Sequence, residues 1–199
     1  MRAPLTMLRR HSMSRTALIA LAGIVLGSPV WADAPSVPLQ LQVELSNKVL
    51  EYVQQPPMLS LDRVRIGIVV KASSPESMRS GAELKAAFDR IALAGGRPHE
   101  QLVVEWAGAT ALADQARSRG LNVLYFTPGL DAEVGPSAAA LVGQRIMTIG
   151  AVGSFVPSGV VLGFELISGH PKMVFNLRQA KKQELVLRAA VMKLMRIVE

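Results

Sequence analysis

From Leu39 to Gln55 the apolar residues Leu41, Leu45, Val49 and Val53 recur every four positions, which draws one apolar stripe along a helix. Pro56 and Pro57 stop it. The run VRIGIVV from Val64 to Val70 is short, β-branched and apolar on both parities, as expected of a central strand covered on two faces. Ser74, Pro75 and Glu76 then supply an N-cap, a proline at the first helical position and an acid in the first turn, so a helix is predicted to about Leu93, ended by Gly95 and Gly96. Leu102 to Trp106 reads as a strand, Thr110 to Arg119 as a helix ending at Gly120, and Val123 to Phe126 as a strand. A helix over about Asp131 to Leu141, with Pro136 weighing against a regular first turn, leads to a strand at Arg145 to Ile149.

The pattern changes after Ile149. Val160 to Ile167 and Lys172 to Leu177 read as strands joined by the turn-rich connection Ser168, Gly169, His170 and Pro171, which predicts a hairpin. A last helix, roughly Arg178 to Val198, places Leu187, Val191, Leu194 and Val198 on one face. Strands alternating with helices argue for helices packed on a parallel sheet. The fold class is therefore α/β: a single domain over residues 39–199, mainly a parallel β-α-β sheet of about six strands with a C-terminal antiparallel hairpin and a closing helix.

Composition changes this picture mainly at the N-terminus. Arg2, Arg9, Arg10 and Arg15 form a positive region before the apolar run Ala17 to Leu26, which is too short to span a bilayer. Val30 and Ala32 sit as in an A-x-A-like site, so residues 1–32 read as a signal peptide cleaved after Ala32, with residues 33–38 as a leader of an exported mature protein. An uncleaved anchor is the alternative, because Trp31 lies between the small residues and Pro29 can end the apolar helix early. His11, Ser12 and Met13 make a poor twin-arginine signal, which favours the general secretory route. The formal charge of +7 includes those four arginines; without them 18 basic residues face 15 acidic ones. Neither a basic stripe interleaved with aromatics nor a zinc-finger spacing appears, so nucleic acid is not an expected partner. With no cysteine, thiolate chemistry and disulfides are excluded and the core must hold the domain alone.

Candidate chemistry is sparse. Beyond the signal segment only His99 and His170 remain, far apart and each beside a proline, so no metal site is expected. No serine lies in a G-x-S-x-G elbow, and the pairs Asp131 with Glu133 and Glu100 with Glu105 read as a helix start and a strand flank. His99 and Glu100 allow a local polar pair, and Glu165 is either an outward residue of its strand, the favoured reading, or a polar contact beneath the loop that follows the fourth strand. No catalytic, cofactor or metal residue is expected. The loop after the fourth strand differs: Gly150, Gly153 and Gly159 frame Ser154 and Phe155 at a carboxyl end of the sheet, where ligands prefer to bind. Plain turn geometry accounts for the same glycines, since no phosphate-loop motif is present. Gly150, Gly153, Ser154, Phe155 and Gly159 are the candidate partner or ligand loop.

Thr148, Ile149 and Gly150, then Phe155 and Gly159, then Gly163, Phe164 and Leu166, and finally Phe175, Asn176 and Leu177 follow one another as in a known family. Ala180, Leu185, Leu194 and Arg196 continue the pattern, and Lys48 and Tyr52 fit its opening helix more loosely. In these residues the chain resembles the YfiR/HmsC-like family of periplasmic regulators. Ala151 stands where the family carries an acid after T-V-G, and Gln55 with Pro56 replaces its W-P, which places this protein's own specificity at the Gly150 to Gly159 loop. The resemblance implies a protein that binds the periplasmic sensor domain of an inner-membrane diguanylate cyclase and holds it inactive, touching the membrane only through that partner, with a homodimer possible. An alternative from another class is a periplasmic small-molecule-binding module serving a transporter or sensor kinase, with the glycine loop as its pocket.

Overall fold

In a computed structural model of the protein, residues 36–54 and 62–199 are described. The signal peptide, its cleavage after Ala32, the first leader residues and the Pro56–Pro57 stop lie outside the described residues. The elements are α1 (Leu39–Leu50), β1 (Val64–Val70), α2 (Pro75–Phe88), β2 (His99–Glu105), α3 (Ala109–Ser118), β3 (Val123–Phe126), α4 (Asp131–Ala140), β4 (Met147–Gly150) and the one-turn α5 (Phe155–Ser158). They continue with β5 (Leu162–Ile167), β6 (His170–Asn176), the short α6 (Leu177–Lys182) and α7 (Ala189–Met192), and β7 (Arg196–Val198). All seven strands form one sheet in the order β2-β1-β3-β4-β5-β6-β7. Strands β2, β1, β3, β4 and β5 run parallel, β6 is antiparallel to β5, and β7 runs parallel to β6. The α/β class with its antiparallel pair is as expected; the sheet has one strand more than anticipated.

Strand alternation sorts the side chains into two cores. Ile66, Ile68 and Val70 of β1, with Val123 and Tyr125 of β3, face α1, α2 and the closing segment. Val69, Leu124 and Phe126 point the other way, into a core with α3, α4 and α5. Burial of each such aliphatic or aromatic side chain contributes roughly 1.5–3 kcal/mol, and no disulfide supplements it. Helix α2 starts as the sequence predicts, with the Ser74 side chain accepting from the Ser77 amide at 3.2 Å. It ends at Phe88, short of the expected Leu93; Phe88 and Ala94 both enter the core, and the chain turns after Ala94 through Gly95 and Gly96, both at positive φ.

Three expectations need correction. Helix α1 ends at Leu50, since Val53 bridges Leu187 and the Gln54 amide donates to the Val186 carbonyl at 2.8 Å, drawing those residues into extended structure. Its buried face is Gln42, Val43, Ser46, Val49 and Leu50, with Leu41 and Leu45 only flanking the core. The hairpin turn has two residues, not four: Ile167 pairs with His170, and Ser168 (φ 51°) and Gly169 (φ 77°) both have positive φ, as a type I′ turn requires. His170 and Pro171 therefore belong to β6. The long closing helix is also replaced. Residues 183–188 alternate strictly between buried and exposed, with Gln183, Leu185 and Leu187 inside, and Glu184 at positive φ breaks the helix after α6. Leu194 is exposed, and the chain ends in β7 against β6.

Candidate functional site

In the order β2-β1-β3-β4 the chain switches sides between β1 and β3, and the loops leaving those two strands part at the carboxyl edge of the sheet. A hydroxyl cluster fills the base of that crevice. Ser77 Oγ lies 2.6 Å from Thr127 Oγ1, Thr127 donates to the Val69 carbonyl at 2.8 Å, and the Lys71 amide donates to Ser77 Oγ at 2.8 Å. Beside it Lys71 Nζ meets Glu133 Oε1 at 2.7 Å, with Glu133 buried at 8% exposure. Glu133 is thus a buried ion-pair partner rather than the plain helix-start residue expected, while Asp131 stays at the surface.

The open space lies one strand further along. A cleft of about 510 Å³ is lined by Ser36, Glu76, Pro128, the stretch Ala151 to Ser154, and Phe164 to Leu166. A second lobe of about 220 Å³ shares Ser36, Glu76, Pro128, Ala151 and Val152, and continues past Gln42 to Glu83. Three carboxylates, Glu76, Glu83 and Glu165, therefore surround an apolar floor of Val152, Phe164 and Leu166. Glu165 is held by Arg196, which donates to both carboxylate oxygens at 2.7 and 2.8 Å. Contrary to its outward reading, Glu165 sits under the glycine loop: a Cβ on Gly153 would run into its side chain and come within 3.0 Å of the Phe164 carbonyl.

The structure divides the five candidate loop residues. Gly153 and Ser154 line the cleft, and only Ser154 of the five is exposed. Phe155 is a core residue at 1% exposure. Gly150 is needed because a Cβ there would stand 2.9 Å from Phe155 Cβ, and Gly159 adopts φ 121° with Ala138 Cβ 2.7 Å from where its own would lie. Gly159 borders a separate cavity of about 440 Å³ near Asn176 and Lys182.

A polar network that the sequence reading missed ties this loop to α1. Gln42 Nε2 donates to the Ala151 carbonyl at 2.9 Å and to the Val37 carbonyl at 2.7 Å, while Tyr125 OH donates to Gln42 Oε1 at 2.7 Å. Burial pushes the Tyr125 phenol well above its ordinary range, against a smaller opposing effect of the Ser46 hydroxyl. The available signal was Gln42 and Ser46 standing four residues apart on a helix, where two polar residues read as a solvent face. The loop and α1 thus meet through a buried network and not as one exposed apolar patch.

His99 and His170 stay apart in function as in sequence. His99 Nε2 lies 3.0 Å from the Ile91 carbonyl and its ring stands against Phe88, whereas His170 is exposed at the start of β6. Glu100 pairs with Arg63 at 3.0 Å and Arg65 at 2.9 Å rather than with His99, and the hydrogen bonds from those two guanidinium groups hold its carboxyl below the usual range. Among the described residues no group of three or more His, Asp or Glu side chains could hold a metal, and no helix is long and apolar enough to cross a membrane.

The family model described as YfiR/HmsC-like matches residues 40–196. The chain belongs to the YfiR/HmsC-like family. The match spans α1, the cleft and the closing segment alike. No curated protein sequence matches the chain. Among solved structures it is similar to an ABC domain from Streptococcus pneumonia in complex with L-Trp, with TM-score 0.56 and 14% identity over 81% of this chain and 62% of that one. It is also similar to a conserved domain protein from Vibrio cholerae, with TM-score 0.55 and 16% identity over 81% and 60%. A ligand-free, open substrate-binding protein with adhesive properties from Clostridium difficile gives TM-score 0.55 and 13% identity over 82% and 60%. The chain spans about three fifths of the length of these proteins, and the likeness establishes the shared fold.

Proposed function

We propose that this chain is an exported periplasmic regulator that binds the sensor domain of an inner-membrane diguanylate cyclase and holds it inactive, lowering cyclic di-GMP and restraining biofilm formation. The observation that carries this reading is the family match over residues 40–196, which takes in nearly all of the described domain. The mechanism is protein binding: a regulator that binds one sensor conformation better than another shifts the population, and only that difference in affinity reaches the cytoplasmic output. Ser154 and its neighbours at the cleft mouth are the proposed contact, because they are the accessible part of the loop in which Ala151 replaces the family's acid. Recovery of membrane proteins on the immobilised chain tests the reading, together with cyclic di-GMP levels after deletion of its gene. The reading requires a diguanylate cyclase in the bound fraction and a rise in cyclic di-GMP on deletion; recovery of no membrane sensor and an unchanged level would sink it.

A second reading has its own support. The cleft opens where ligands bind in open α/β sheets, and its volume lies within the range of small-molecule sites. A periplasmic small-molecule module serving a transporter or sensor kinase follows, with amino acids among the first ligands to try, given the L-Trp complex of one structural relative. Such a ligand raises the melting temperature with the logarithm of its concentration once that exceeds its dissociation constant.

A further inference from the structure

The excess positive charge of the domain is confined to its closing segment. Residues 36–176 carry twelve Lys or Arg and twelve Asp or Glu, whereas residues 177–199 carry six Lys or Arg against two Glu. Arg196 is taken by Glu165 and Glu184 by Arg145. Arg178, Lys181, Lys182, Arg188 and Lys193 are exposed and make no ion pair within the described residues.

Three of these cations share one cover of the core. Ala180, Leu185, Leu187, Val191 and Met195 all enter the core on the α1 and α2 side of the sheet. Arg178 and Lys182 border the cavity beside α4, whereas the other exposed residues, Lys181, Val186, Arg188, Lys193 and Leu194, lie between these buried ones and form the outer surface of one cover. Val186 at 55% and Leu194 at 63% are the most exposed large apolar side chains among the described residues. Cations interleaved with protruding aliphatic side chains match a diffuse negative surface with hydrocarbon just beneath it, where ammonium and guanidinium groups meet headgroups and the aliphatic groups enter the acyl boundary. A folded acidic partner would instead call for charges paired one by one around a shared apolar core.

We propose that this outer face of the closing segment docks the protein on an anionic lipid surface. Docking would confine a soluble regulator to the layer in which a membrane sensor stands, raising its effective concentration there. It is a property of this surface and does not depend on which partner the cleft side of the molecule binds.

Co-sedimentation of the compact unit Asp33–Glu199 with vesicles of phosphatidylcholine, with and without phosphatidylglycerol, tests it. Binding should require phosphatidylglycerol and weaken as salt is raised. Each cation near such a surface is worth about a fivefold change in partition, so Arg188→Gln with Lys193→Gln should lower it about 25-fold. Arg79→Gln, an exposed cation of the charge-balanced region, should leave it within about twofold. Leu194→Ser should weaken binding at unchanged charge, and circular dichroism should show every variant folded. Failure of the unsubstituted chain to sediment with anionic vesicles, equal binding to neutral ones, or equal effects of the Arg79 and Arg188/Lys193 substitutions would each overturn the proposal.

Discussion

At the residue scale Tyr125 carries a fully buried hydroxyl that donates to Gln42 Oε1. Removing the donor with Tyr125→Phe leaves a buried amide oxygen short of a partner, a loss of about 1–3 kcal/mol, to be read from urea denaturation. The phenol's folded-state pKa is raised, so the unfolded chain releases this proton first as pH climbs past about 10. Above that value the native state binds more protons than the unfolded state, and stability falls with rising pH. The alkaline loss should be smaller in Tyr125→Phe, and identical alkaline slopes in the two proteins would exclude Tyr125 as its source. None of this could be read beforehand, because the sequence shows which residues are polar but not which polar groups find each other across 83 positions. Gly153 is a similar case. Its glycine was visible, but its reason, the Glu165 side chain and the Phe164 carbonyl lying against it, appears only after β5 is placed beneath the loop.

At the element scale, strands β1 and β3 were legible to the residue, because an apolar run covered on both faces leaves one interpretation. The starts of α2 and α4 were legible too, fixed by Ser74 and Pro75 in one and Asp131 in the other. The closing segment was not, since QELVLRAAVMKL satisfies both periods: every third or fourth residue is apolar, and Leu185 and Leu187 also alternate with polar or exposed neighbours. Tertiary pairing with Val53 and Gln54 decided for extended chain. Two substitutions separate the structures, because a continuous helix buries Leu194 on the same face as Leu187. Here Leu194 is exposed and Leu185 buried, so Leu194→Ser should change stability by less than about 0.5 kcal/mol. Leu185→Ala should cost about 2–4 kcal/mol. The reverse ranking in thermal or urea unfolding would restore the helix. The tie between β1 and α4 gives a further test. Lys71→Met leaves the Glu133 carboxylate buried without its ammonium partner, and roughly 1–3 kcal/mol should be lost. The double variant Lys71→Met with Glu133→Leu should recover part of it, as a double-mutant cycle will report.

At the scale of the whole molecule, the accessible end of the glycine loop and the basic closing face are distinct surfaces, joined through Arg196, which leaves β7 to bind Glu165 at the cleft. The two readings of the cleft, a seat for a sensor domain and a pocket for a small ligand, make different demands on the same residue. Ser154 is exposed and lines the cavity, so Ser154→Trp places an indole in the open space without disturbing the core. A surface change of that kind shifts the melting temperature by no more than about 1–2 °C. If the loop is the regulatory contact, the variant should lose partner recovery at least tenfold, and cyclic di-GMP should rise as it does on deletion. If the cleft serves only a ligand, partner recovery should persist while the ligand-induced rise in melting temperature disappears. When both binding events occur in one protein, linkage requires that a ligand altering partner affinity by some factor has its own affinity altered by the partner by the same factor. Paired titrations therefore test regulation itself: a factor above or below one, the same in both directions, means that the cleft regulates the sensor contact, and a factor of one in both directions would mean that the two sites are independent.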